Sequence, residues 1–274
     1  MAMDLAKQKI WHKAYEHALE TITSLRNHCD FKYQKDANNA DTVYILNAFT
    51  PTAKKYTPGV DIEREAVDAT RKELKLDQFY YFNIEMDDVD AVQSVSGALE
   101  AAAEEGARAL AEEGDLYVAE LIKTGVADGS ITSIEATSVT KENAVGLVEE
   151  GFAVLYTNNC KPSSKFYLEV KPKFFVNFRQ ALTEVYTNNV EMAKKGFVGK
   201  YGNALVSIEN LLPNDGTNDI NVLRTGKAIA FAEQLRETKH YEPEGSFSKA
   251  VKSLYVYGGK VLNPEQIVAI PTTM

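Results

Sequence analysis

Leu74-Lys-Leu-Asp-Gln-Phe-Tyr-Tyr-Phe-Asn-Ile-Glu-Met86, followed by Asp87-Asp-Val-Asp90 and a run of Ala and Glu to Lys123, decides how this chain folds. Leu74, Leu76, Tyr80, Phe82, Ile84 and Met86 share one parity, as a strand with one buried face requires. Glu73, Lys75, Asp77 and Glu85 take the other parity, but Phe79 and Tyr81 interrupt it, so the middle of the predicted strand is apolar on both sides. Thr42–Phe49 also reads as a strand, and Thr50–Gly59, with Pro51, Pro58 and Lys54–Lys55, as an exposed loop. If the two strands pair as a projecting arm, they need cover, because a lone hairpin is marginal in water. Another copy of the chain is the available cover.

Asp87, Asp88 and Asp90 suit the positive end of a helix dipole. Val92, Val95, Leu99, Ala102, Gly106, Leu110, Tyr117 and Leu121 form an apolar stripe that carries the helix to Lys123, roughly 50 Å at ~1.5 Å per residue. Gly97, Gly106 and Gly114 each weaken it by about 1 kcal/mol relative to Ala, so it depends on tertiary packing. Gly125 and Gly129 are expected to end it.

Outward from this core, Asp4–His28 is an amphipathic helix with Trp11, Tyr15, Leu19 and Leu25 on one face, and Asp61–Thr70 is ambiguous. Lys141–Tyr156 reads as a helix capped by Thr140, and Pro172–Met192 as another with Pro at its first turn. Phe166–Val170, Ala204–Ile208 and Val222–Phe231 read as strands. So do Val251–Tyr257 and Lys260–Ile270, joined at Gly258–Gly259.

Composition narrows function by exclusion. A net charge of -9 argues against a protein that grips nucleic acid through a basic face. No apolar run approaches membrane-span length, and Met1–Ile10 lacks a secretory h-region, so the chain is expected to stay in the cytoplasm. Cys29 and Cys160 read as reduced thiols. His12 and His17 are spaced wrongly for one helical face and have no Cys or carboxylate cluster beside them, so no metal site is expected, and all four histidines, His28 and His240 included, read as surface residues. Gly196–Gly202 and Thr225-Gly226-Lys227 lack phosphate-loop spacing, and no nucleophile elbow occurs. Glu100, Glu104, Glu105, Glu112 and Glu113, with Arg108, read as a solvated helix face. No catalytic residue and no cofactor are expected.

The order of segments resembles the tailed-bacteriophage major capsid proteins of the Hong Kong 97-type fold. The wording that carries the resemblance is Leu74–Asp90, Gly199-Lys-Tyr-Gly-Asn-Ala-Leu-Val-Ser-Ile-Glu-Asn-Leu-Leu-Pro213, Lys227-Ala-Ile-Ala-Phe231 and Tyr257-Gly-Gly-Lys-Val-Leu-Asn-Pro-Glu265. It implies an α+β capsid fold with an N-arm (1–36), an E-loop β-hairpin (37–86) and a P-domain spine helix (87–127). A mixed α/β A-domain (128–249) and a P-domain β segment (250–274) complete the plan. It further implies self-assembly as pentamers and hexamers into an icosahedral shell around double-stranded DNA, bound without sequence specificity. The expected partners are a portal protein, a separate scaffolding protein and possible decoration proteins, with assembly in the host cytoplasm and a final place in the virion capsid. The short N-arm implies no processing. Inter-subunit contacts are expected at Trp11, Lys54, Lys55, Tyr56, Phe79 and Tyr81, and a Lys54 or Lys55 cross-link to Asn263 is a minor possibility. An encapsulin-type nanocompartment shell holding cargo enzymes is the alternative.

Overall fold

The computed structural model describes residues 25–37, 41–46, 53–56, 61, 71–87, 98–185, 199–245 and 248–273. The helix expected over Asp4–His28 falls mostly outside them; its described end is a single 3-10 turn, Arg26–His28. A short helix, α1, follows at Gln34–Ala37.

Strands β1 (Thr42–Leu46) and β2 (Arg71–Lys75) form an antiparallel hairpin with Thr42 opposite Lys75 and Leu46 opposite Arg71. The predicted strand Leu74–Met86 is therefore two strands. After Leu76–Asp77 the chain changes partners, and β3 (Gln78–Asp87) pairs instead with β11 (Ser248–Val261), Gln78 opposite Tyr257. Parity survives this break, which is why the sequence hid it. Strand β10 (Ile229–Tyr241) lies on the other side of β11, so the sheet order is β10-β11-β3, with β3 at an edge.

The long helix is α2, described over Ala98–Ala127. It runs through Gly125, where a termination was expected; Gly129, in the left-handed region at φ +74°, lies just beyond its end. Its buried row is Ala107, Leu110, Ala111, Val118, Ala119 and Ile122, rotated from the predicted stripe; Tyr117 and Leu121 lie at its margin. This row packs on the Phe231, Tyr255 and Tyr257 face of the three-stranded sheet. Gly106 and Gly114 face that sheet: a Cβ at Gly106 would sit 2.9 Å from the Phe82 ring, and one at Gly114 would sit 3.4 Å from Tyr255 Oη. These two helix-weakening glycines are thus contact glycines, and Gly97 lies outside the described residues.

The larger sheet has the order β4-β12-β9-β6-β8-β7, with β5 also on β12. Its strands are β4 (Thr132–Ser133), β5 (Thr137–Ser138), β6 (Phe166–Val170), β7 (Lys200–Tyr201), β8 (Ala204–Ile208), β9 (Asn218–Thr225) and β12 (Ile267–Thr273). Helices α3 (Ala144–Thr157) and α4 (Pro172–Val185) cover one face over Phe166, Leu168, Val170, Leu223, Val268 and Ile270. The opposite parity, with Val222 and Ala269, joins the α2 core. Thr140 is not the cap of α3: the N-cap position is Asn143, whose Oδ1 accepts the Thr140 N–H at 2.8 Å.

Two further expectations are corrected. Val222–Phe231 is not one strand, because Gly226–Lys227 turn the chain from β9 into β10. Gly258–Gly259 make no turn; β11 runs straight through them, and the chain bends later at a 3-10 turn, Pro264–Gln266. The reason is crowding. A Cβ at Gly258 would lie 1.9 Å from the Lys75 carbonyl oxygen, so only glycine lets the hairpin backbone rest on β11.

Candidate assembly surface and buried charge network

Residues paired across β3 and β11 share a face. Phe79, Tyr81 and Asn83 lie with Val256, Leu254 and Lys252 on the side away from α2. At one end of this face the hairpin covers the sheet, burying Val43, Ile45, Leu74 and Leu76 against Ala230, Ala232 and Val256. At the other end the described residues supply little cover. Phe79 is 61% exposed and Tyr81 74% exposed, and Leu254, opposite Tyr81, is partly exposed. Tyr241 Oη donates to Asn83 Oδ1 at 3.0 Å, and Lys252 Nζ sits 4.6 Å over the Tyr241 ring. The result is an aromatic, weakly charged patch on an edge strand, where backbone groups also face outward.

Lys54, Lys55 and Tyr56 are exposed. Trp11 lies outside the described residues. Asn263 is engaged within its own chain: its Nδ2 donates to the Lys227 carbonyl at 2.9 Å and its N–H to the Ala228 carbonyl at 3.1 Å. On α2, Glu104, Glu105 and Glu112 are exposed, with Arg108 reaching Glu112 at 3.4 Å and Glu105 at 4.0 Å. Cys29 and Cys160 are free thiols. Among the described residues no cluster of His, Cys, Asp and Glu is arranged to hold a metal, and no helix is long and apolar enough to cross a membrane.

The sequence missed a buried charge network. Glu169 on β6 and Arg224 on β9 have fully buried side chains. Arg224 donates Nη2 to Glu169 Oε1 at 2.7 Å and Nε to Oε2 at 2.9 Å, a two-pronged pairing. The same guanidinium donates to the Leu25 carbonyl at 2.7 Å and the His28 carbonyl at 3.2 Å. His28 Nδ1 lies 2.8 Å from Glu169 Oε1, and its ring stacks on Tyr167 at 4.0 Å between centroids. His28 is therefore buried, correcting the surface assignment. Burial alone would raise the Glu169 pKa, yet Arg224 and then His28 hold it below the usual carboxylate range. Arg224 is raised, because Glu169 more than offsets its burial.

A second half lies alongside. Arg26, also buried, donates its backbone N–H to Asp115 Oδ1 at 2.8 Å on α2. Its Nη1 donates to Glu233 Oε2 at 2.5 Å and reaches Tyr255 Oη at 2.8 Å, and Tyr255 in turn donates to Glu233. Burial, then Glu233, drives the Tyr255 pKa up, so it stays a neutral donor. One signal was available: Glu169 stands in the otherwise apolar run Phe-Tyr-Leu-Glu-Val, and a buried carboxylate demands a partner.

No family model and no curated protein matches the chain. Solved structures do. A chain of Mycobacterium phage Che8 is 25% identical, covers 90% of each chain and gives a TM-score of 0.76. The capsid structure of cyanophage P-SCSP1u is 14% identical, covers 85% of this chain and 84% of that one, with a TM-score of 0.69. A virus-like particle from Pyrococcus furiosus is 14% identical over 96% and 99%, with a TM-score of 0.57. In fold the chain is similar to these tailed-phage capsid structures, the Hong Kong 97-like architecture that its sequence resembles.

Proposed function

We propose that the chain is the major capsid protein of a tailed phage, assembling as pentamers and hexamers into an icosahedral shell around double-stranded DNA. The observation that carries this reading is the half-covered sheet face. The hairpin buries one end, and Phe79 and Tyr81 leave the other open. A second copy laid over that end removes the aromatic patch from water, at ~1.5–3 kcal/mol for each large side chain fully covered. Repeated around a shell, such modest contacts let misplaced subunits leave. On this reading residues 1–36 form the N-arm, 37–86 the E-loop, 87–127 the spine, 128–249 the A-domain and 250–274 the P-domain β segment. Lys54, Lys55 and Tyr56 then sit on the reaching loop and Trp11 on the N-arm, all against neighbours. A cross-link from Lys54 or Lys55 to Asn263 would require Asn263 to give up its bond to Lys227. Exposed Glu104, Glu105 and Glu112, turned inward, would keep packaged DNA mobile by repulsion. The role is structural and non-enzymatic, with a portal, a separate scaffolding protein and possible decoration proteins as partners.

The test is electron microscopy of the purified chain, with and without a co-expressed scaffolding protein. Closed shells or capsid-like tubes are expected; a dispersed monomer under both conditions overturns the proposal. The likeness to the Pyrococcus particle favours a second reading, an encapsulin-type shell holding protein cargo. Shells filled with a single host enzyme and free of portal would decide for it.

A further inference from the structure

Leu25–Asp30 touches α2 and both sheets; α2 and the three-stranded sheet also meet through apolar packing and two tyrosine hydrogen bonds, Tyr117 Oη to the Gly259 carbonyl at 3.4 Å and Tyr257 Oη to the Glu113 carbonyl at 3.2 Å. Arg26 and His28 turn to opposite sides. Arg26 goes to Asp115 of α2 and to Glu233 and Tyr255 of the three-stranded sheet. His28, with the Leu25 and His28 carbonyls, goes to Glu169 and Arg224 of the larger sheet. Asp30 joins β10 through backbone bonds, its N–H to the Ile229 carbonyl at 2.8 Å and its carbonyl to the Phe231 N–H at 3.1 Å.

We propose that Leu25–Asp30 is a polar latch that sets α2 against both sheets and opens as a unit while the rest of the fold stays intact. The division of charge supports a separable latch. When the segment leaves, Glu169 and Arg224 keep their two mutual bonds, so the body retains a neutral pair. Glu233, whose side chain is already 22% exposed, can take water in place of Arg26. What α2 loses is local: Arg26 Cδ lies near Gly114, and Arg26 N–H holds Asp115, both at mid-helix. Opening therefore unbraces the middle of the long helix, while its ends stay packed through Ala107 and Ile122. The chain preceding Leu25 acquires a handle on the helix position, so a partner that binds or withdraws that chain alters the subunit's shape.

Cys29, buried within the latch, is the reporter. With Cys160→Ser it becomes the single thiol, and its labelling by a thiol reagent is followed against urea in the full chain. A core control carries Val222→Cys with Cys29→Ala and Cys160→Ser. Local opening predicts that Cys29 labels at least about tenfold faster than the control below the unfolding transition, with a shallower urea dependence. Arg26→Met should accelerate Cys29 labelling about tenfold further and leave the control unchanged. Cys29 and the control labelling in step, at one rate and one urea slope, overturns the latch, whether in the parent or in Arg26→Met.

Discussion

Replacing Gly258 by Ala tests the contact on which the hairpin rests. The added methyl would stand 1.9 Å from the Lys75 carbonyl oxygen, 2.8 Å from its carbon and 2.9 Å from Leu76 Cα. All three are backbone atoms, so no rotamer change relieves the clash. The hairpin must retreat by about an ångström merely to reach the limit of tolerated contact, and a gap of 0.5–1 Å forfeits a quarter to a half of the dispersion attraction. Val43, Ile45, Leu74 and Leu76 are held in this contact. At ~1.5–3 kcal/mol each for full burial, losing about a third across four side chains costs about 3 kcal/mol. Urea unfolding should show that loss, and limited proteolysis should cut near the hairpin first. The assay is best run with Phe79→Ser and Tyr81→Ser present to keep the chain unassembled. Gly146→Ala is the internal control: a Cβ there meets nothing within 4 Å on α3, and it should stabilise by up to about 1 kcal/mol. A Gly258→Ala chain that unfolds within about 0.5 kcal/mol of the parent, uncut at the hairpin, would show that the hairpin does not rest there.

Phe79→Ser with Tyr81→Ser should remove about 2–4 kcal/mol per subunit contact, raising the assembly threshold seen by light scattering some tens- to hundreds-fold while the circular dichroism stays native. Glu169→Gln leaves Arg224 buried without its carboxylate and should cost about 3–5 kcal/mol in urea unfolding; Lys54→Ala, on the exposed loop, should stay within about 0.5 kcal/mol. Because the folded pKa of Glu169 is depressed, its contribution is complete above the ordinary glutamate value of about 4.3 and disappears as pH falls through the lower folded value. Stability measured below pH ~5 should therefore fall more steeply in the parent than in Glu169→Gln, and parallel curves would contradict the assigned pairing.

The elements built from local pattern were readable. Phe166–Val170 and Ala204–Ile208 emerge with the bounds their apolar runs suggest, and the long helix occupies the stretch its stripe marks from Ala98 onward, although the buried row is rotated from that stripe. What escaped was pairing at a distance. Leu74, Leu76, Tyr80 and Phe82 share one parity with only Gln78 interrupting it, yet Leu74 and Leu76 pack under the hairpin while Phe82 meets α2. Parity reports that a face is buried but is silent on what buries it. Gly258–Gly259 carry the composition of a tight turn, and only the passage of Lys75 overhead makes them strand residues. The charge network was least legible: Arg26 and His28 look solvated beside their polar neighbours, and the groups that bury them lie about 90 to 230 residues away. The capsid resemblance survived these misreadings because it rested on the order of elements, not on their partners.

The placement of β11 and β12 bears on timing. These strands follow all the other described strands along the chain, yet β11 lies between β10 and β3, and β12 between β9 and the β4–β5 edge. A nascent chain leaving the ribosome N-terminus first therefore holds β3 without its partner until β11 emerges. The aromatic patch, and with it any docking between copies, takes shape only once synthesis has passed Val261. Fragments that stop earlier lack the β3–β11 face altogether.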